Sequence, residues 1–404
     1  MLPDVTKEGQ GPIIPATLMR AAAAVIVPVF LLAACGVGTS NTSPQGAHGT
    51  SPAPSPAHSS PSAAPAPGPL AQSFGVLATQ PQPGEPIQIT LVGTDGQVKA
   101  GTSAQPRTSF SCADATPILP AATVSTTDSR LYYLDGDTTV RFLSPRFAND
   151  LEKGEATRVP GGGQVASTFT VSPDDRRIAV VATDYSKSPP AFRIYVEDLA
   201  GGANHTEIFS GDGSHGVPWA VGWHSGQIVL GYTGGCIRAG GPFSTFPFEY
   251  HLVDATTAVR SATLGTQTGC HAVSLPSAAG VLCLEPGGRT QVLGWDGRSQ
   301  RQFAAGDAPY FNYSLSPSGM SIGACCETSG ATTVEGVSSQ TYHVAGSGTG
   351  IGFIDDQHLL IGAPSRQSQA RVFVLGGAGT TIPVAAIGEF VARLPGGLDP
   401  RPGT

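Results

Sequence analysis

From residue 70 onward one pattern of hydrophobic and polar positions keeps returning: a short apolar run, a polar turn, then a more strongly apolar run. It is read at 123–135 (TVSTTDSRLYYLD), 169–184 (FTVSPDDRRIAVVATD), 220–232 (AVGWHSGQIVLGY), 272–285 (AVSLPSAAGVLCLE), 313–326 (YSLSPSGMSIGACC) and 350–362 (GIGFIDDQHLLIG). The turns, taken at Asp128, Asp174, Ser225, Ala279, Ser318 and Asp355, are spaced by 46, 51, 54, 39 and 37 residues. Runs this short, bounded by turn residues, are strands. A β repeat of about 40–50 residues is the spacing of four-stranded propeller blades. A second pair of strands follows in each unit, for example at 192–196 (FRIYV) and 206–209 (TEIF). Its alternation is weaker, as expected toward the exposed edge of a blade.

Six units are read this way, and the two ends supply a seventh. Residues 389–394 (EFVARL) read as a lone inner strand before a Pro-Gly-Gly turn. Residues 74–77 (FGVL) and 87–92 (IQITLV), with Asp95-Gly96 leading into Val98, read as its partners. One blade shared between both ends closes the ring and leaves no open inner edge. The expected fold is therefore an all-β propeller of seven four-stranded blades over 71–395, with six blades as the alternative. Residues 100–120 would link the closing blade to the first, and 396–404 would be a short tail.

The turns Ser172-Pro173-Asp174-Asp175 and Ser316-Pro317-Ser318-Gly319 each lead into an apolar strand. Pro presets the first turn angle and Asp or Gly accepts the next. These repeats resemble the WD40-like repeats of TolB-type propellers over roughly 120–384. The resemblance implies an architecture and no particular partner.

The N-terminal region has a different pattern. Arg20 precedes an unbroken apolar run from Ala21 to Ala34, and Cys35-Gly36 follows. A positive residue, a short apolar stretch and small residues before a cleavage point make a secretory signal. Fourteen residues rise only about 21 Å as a helix. The hydrocarbon core of a bilayer is about 30 Å thick, so a membrane span is disfavoured. Leu32-Ala33-Ala34-Cys35 resembles the lipobox of bacterial lipoproteins, and that likeness implies diacylglyceryl attachment at Cys35 and removal of 1–34. Met19 offers an alternative start that leaves a compact leader. Residues 36–70, rich in Ser, Pro, Ala and Gly, lack apolar groups to bury and read as an unfolded tether to the ring. The expected location is the outer face of the cytoplasmic membrane.

Composition narrows the function classes. The chain carries 53 Gly and 35 Pro but only 13% charged residues, a balance that suits strands and tight turns better than amphipathic helices. A net charge of −7 argues against nucleic acid, which needs a basic surface.

Beyond Cys35 there are six cysteines: Cys112, Cys236, Cys270, Cys283, Cys325 and Cys326. An even number in an exported chain favours disulfides. In a propeller the start of an inner strand and the end of a second strand lie on one face, which groups most of these thiols there. Cys236, after the second strand of one blade, and Cys270, before the inner strand of the next, are the preferred pair. The adjacent Cys325 and Cys326 admit a vicinal disulfide of the kind some quinoprotein dehydrogenases stack against their cofactor. That family has repeated tryptophan docking motifs, whereas this chain has three tryptophans and no carboxylate cluster for calcium. No cofactor is expected.

No nucleophile elbow, H-E-x-x-H or C-x-x-C motif is present, and Gly222-Trp223-His224-Ser225-Gly226 reads as a hairpin. Asp174-Asp175 and Asp355-Asp356 read as turn residues rather than a glycosidase pair. The candidate binding loop is 240–250 (GGPFSTFPFEY), with Phe243, Phe246, Phe248 and Tyr250, joined by Tyr185 in the corresponding loop of the preceding blade. Loop aromatics make a ligand platform or pack down on a neighbour, and packing is the commoner role. The function expected is a tethered binding or scaffold module for a protein, peptide or glycan of the cell envelope. The alternative is a glycan hydrolase or lyase with its site in the central funnel.

Overall fold

The computed structural model describes residues 68–399, apart from 112–116, 148–149, 235–246, 266–268, 286–287, 304–311, 326–331, 337–340, 345–349, 364, 366–367 and 377–378. Seven four-stranded antiparallel sheets form a propeller. From inner to outer edge, blade one is Val124–Thr126, Leu131–Asp135, Thr139–Phe147 and Asp150–Arg158. Blades two to six repeat this meander, with inner strands Val165–Val171, Val217–His224, His271–Ala272, Asn312–Leu315 and Ile351–Asp355. Blade seven takes its inner strand, Glu389–Leu394, from the far end of the chain. Phe74–Ala78, Ile87–Gly93 and Val98–Ala104 complete it, with Phe74 opposite Leu394 and Ala78 opposite Glu389. The expected shared closing blade and the count of seven both hold.

The core explains why the ring must close. Seven apolar clusters lie one between each pair of adjacent blades, and two smaller ones lie under the ribbon at Phe110 and around Cys270. Blades seven and one meet through Val76, Leu91, Leu131 and Leu143, and blades six and seven through Leu77, Val92, Leu360 and Val372. Second strands are covered on both faces by neighbouring blades, so they read as continuous apolar runs: Arg177–Asp184 buries six successive residues. Outer strands have one open side, and Thr206–Asp212 buries only Ile208. An unclosed ring would leave two such faces in water.

The turns are built locally. In 172–176 Ser172 Oγ donates to Asp174 Oδ1 (2.6 Å) and accepts from Arg177 N (2.9 Å). Asp175 takes φ of 58°, a left-handed conformation that Asp tolerates. Ser225 and Gly226, both at positive φ, reverse the chain between Val217–His224 and Gln227–Thr233 in a two-residue hairpin loop.

Candidate functional site

The inner strands of the seven blades surround a central channel containing a cavity of about 120 Å³. Its polar lining is made of hydroxyls, among them Thr123, Ser125, Thr168, Thr170, Ser277 and Ser314. Several stitch neighbouring blades together. Ser125 Oγ of blade one accepts from Val171 N of blade two (3.0 Å), and Thr168 Oγ1 of blade two accepts from Ala220 N of blade three (3.1 Å). Trp219 and Phe390 supply aromatic wall. Arg393 is the one charged side chain among the described lining residues, which include no carboxylate, histidine or cysteine.

At one mouth the channel is crossed by the residues after the last strand. Gly396 N donates to Thr127 O in the first turn of blade one (2.7 Å). Leu398, 8% exposed, sits on Gly222 of blade three, where a Cβ would lie 2.6 Å from Leu398 Cδ1. His224 Nδ1 lies 2.8 Å from Leu398 O, and Ser225 N donates to Asp399 Oδ1 (2.6 Å). The bond to His224 leads the causes that hold the Asp399 carboxyl below its ordinary value. The His224 ring stacks on Trp295 of blade four, with centroids 4.6 Å apart. Residues 396–399, expected as a tail, thus run from blade seven to blade three, and Gly396, Gly397 and Leu398 form part of the cavity wall. The Pro-Gly-Gly sequence carried a hint, because a side chain at Gly396 would collide with Thr126. Its destination was not written there.

The opposite face carries the long connections. Residues 105–123 lead from blade seven to blade one and include a two-stranded ribbon, Phe110–Ser111 with Pro117–Ile118. Beneath it Arg107 is buried, donating through Nη1 to Thr123 Oγ1 (2.9 Å) and through Nη2 to Ser167 O (3.3 Å). Loss of hydration pulls its pKa down to about 10, with Asp137 opposing, so it remains a cation at neutral pH. Nothing in the local sequence distinguishes Arg107 from a surface arginine.

This face also corrects the expected cystine. Cys270 pairs with Cys283, at a Cα–Cα distance of 5.6 Å, and not with Cys236. Both ends lie within blade four, where His271 opposes Leu284 and Ala272 opposes Cys283. The two strands of one hairpin bring their flanking residues closer than adjacent blades do. Cys325, at the end of the second strand of blade five, is disulfide-bonded. Cys35, Cys112, Cys236 and Cys326 lie outside the described residues, as do Phe243 and Phe246.

The remaining candidate aromatics are packing residues rather than a platform. Tyr250 is fully buried, its hydroxyl donates to Ser274 O of blade four (2.7 Å), and burial pushes its pKa well up. Tyr185 is buried under the ribbon and stacks on Phe110, with centroids 4.0 Å apart. Burial pushes its phenol up to about 12. Phe248 is half-buried, its ring lying near Gly216. Among the described residues, Tyr185, Phe248 and Tyr250 therefore form no exposed patch.

The paired aspartates serve the frame. Asp175 accepts from Ser129 Oγ (2.8 Å) and Tyr132 Oη (3.0 Å) of blade one. Asp356 accepts from Ser318 N (2.9 Å) of blade five. Each joins the first turn of its own blade to that of the preceding one. Among the described residues no cluster of three His, Cys, Asp or Glu is placed to hold a metal ion.

No protein-family model and no curated protein matches the chain. Among solved structures it is similar to the crystal structure of Hsv2 from Kluyvelomyces marxianus, at 8% identity and a TM-score of 0.41, over 64% of this chain and 74% of that one.

Proposed function

We propose that this chain is an exported, lipid-anchored binding module that presents one face of its ring to a protein, peptide or glycan partner in the cell envelope. The observation that carries the reading is asymmetry: the apolar run 21–34, Cys35 and a Ser/Pro-rich stretch precede a ring whose long connections and described cystine lie on one face. A rigid scaffold with variable loops on one side is the usual arrangement for recognition. Disulfides near that face accord with an oxidising compartment. The alternative of a glycan hydrolase or lyase draws no support from the channel, because its described lining supplies no acid–base pair.

Intact mass spectrometry of the chain purified from its native membrane tests the anchor: the expected species begins at diacylated Cys35. A photo-crosslinking residue placed at Lys187, on the long-connection face, tests the surface against one placed at Arg176, in a tight turn of the other face. Crosslinks to an envelope component are expected from position 187 and not from 176. An unmodified N-terminus, or capture equally from both positions, overturns the reading.

A further inference from the structure

The central cavity and the segment that crosses its mouth make a unit that the face-binding reading does not use. We propose that the cavity is a binding site for a small neutral polyhydroxylated molecule, such as one sugar ring or a cyclitol, and that residues 395–399 are its lid.

The ligand class follows from the lining. Thr168 Oγ1 and Thr123 Oγ1 each accept one hydrogen bond, from Ala220 N and from Arg107 Nη1, and among the described residues no acceptor receives their own hydroxyl hydrogens. Ser125 Oγ and Thr170 Oγ1, 3.3 Å apart, share one hydrogen between them, which leaves a further donor. Ser314 Oγ adds another from blade five. The wall thus presents hydroxyl donors converging from several blades, which match the ether and hydroxyl oxygens of a polyol. A cationic ligand would enter without a carboxylate to meet it, since none lines the described cavity. An anion would find only Arg393, whose Nη2 already faces Gly397 O at 3.4 Å. Trp219 and Phe390 offer apolar surface to the ring face of such a molecule.

Size gives the same answer. The cavity of about 120 Å³ is roughly ten times the space one water requires. It is below the roughly 300–1,000 Å³ of pockets for drug-sized ligands, so a single small ring is the fitting occupant.

The lid is held by contacts that can be exchanged. Gly396, Gly397 and Leu398 form part of the cavity wall, and Leu398 is seated by the absence of a side chain at Gly222. The outer end is latched by His224 and Ser225 onto Leu398 O and Asp399. Gly222 does not have positive φ, so an added methyl is tolerated by the backbone and acts only by displacing Leu398. A lid that must open for entry slows association and release together and leaves the equilibrium affinity of the enclosed site unchanged.

Calorimetric titration of the full chain with myo-inositol, glucose and N-acetylglucosamine tests the pair of claims, using wild type, Gly222→Ala, Leu398→Ala and Thr168→Val. The expected result is that at least one of these probes binds, that Thr168→Val loses at least about tenfold in affinity, and that the association rate, followed by stopped-flow tryptophan fluorescence, is roughly tenfold higher in Gly222→Ala and Leu398→Ala than in wild type. If none of the probes binds any variant, or binding is unaffected by Thr168→Val, the site is overturned. Equal association rates in wild type and both lid variants overturn the lid. The crosslinking outcome at positions 176 and 187 is independent of each of these results.

Discussion

The two faces of this ring are made of the same strands and solve opposite problems. On one, the described connections are short and held by their own side chains: Ser172 with Asp174, and Asp254 with Thr256 and Thr257. Asp175 and Asp356 then tie neighbouring turns together. On the other, the connections are long, a ribbon runs over Tyr185, and the Cys270–Cys283 disulfide adds a covalent fastening to local bonds such as Ser186 to Asp184 and Ser214 to Asp212. The lesson is a division of labour. The tight face sets blade-to-blade geometry and leaves little that can vary, whereas the long face can change its chemistry without disturbing the inter-blade cores. It is the tight face, however, that residues 396–399 cross.

That contrast can be broken most severely at Trp223, buried between blades two and three beneath the tight face, with Nε1 donating to Thr170 O at 3.2 Å. Trp223→Ala is expected to cost about 3–5 kcal/mol, read from chemical denaturation. Next comes the fastening of the long face. Replacing both Cys270 and Cys283 by Ser should cost about 2–3 kcal/mol, the scale for a loop of 13 residues. Hydrogen exchange should show that loss confined to blade four, and a ring-wide loss of protection would erase the contrast.

A smaller effect is expected at Asp175→Ala, which leaves the buried Tyr132 hydroxyl without its acceptor and should cost about 1–2 kcal/mol by the same denaturation assay. The smallest concerns pH. His251 on blade three is buried beside Glu249 (2.8 Å), under the ring of Tyr232 and with Arg260 nearby. Burial holds its imidazole below the ordinary value of 6.5, with Glu249 opposing that shift. The unfolded chain therefore binds more protons between 6.5 and the lower folded value, and stability falls as pH falls through that window. Thermal melting of wild type should decline across it more steeply than that of His251→Gln. Parallel curves would remove His251 as the cause.

Much of the frame was legible because its determinants are local. The six turns from Asp128 to Asp355 fall where the inner and second strands join, since Gly, Asp and Ser at a reversal carry the needed backbone angles themselves. The closing blade was legible for a different reason: two unpaired ends with strand patterns have one economical solution. The candidate site was much less so. Tyr250 and Tyr185 look alike in sequence to exposed loop aromatics, and only their neighbours, Ser274 and Phe110, show them to be packing residues.

The sequence by itself determined the strand order, the seven-fold repeat, the join of the two ends and the positions of the tight turns. The strand order, repeat and turns follow from periodicity and turn chemistry within a few tens of residues, and the join follows from strand patterns left without partners at the two ends. The tertiary structure alone decided that Cys270 faces Cys283, that Arg107 is buried against Thr123 and Ser167, and that Leu398 rests on Gly222. Partners 13, 16, 60 and 176 residues apart are brought together by strand pairing and ring closure. Such pairings leave no trace in local pattern, because the energy that selects them comes from surfaces that exist only once neighbouring strands and blades have met.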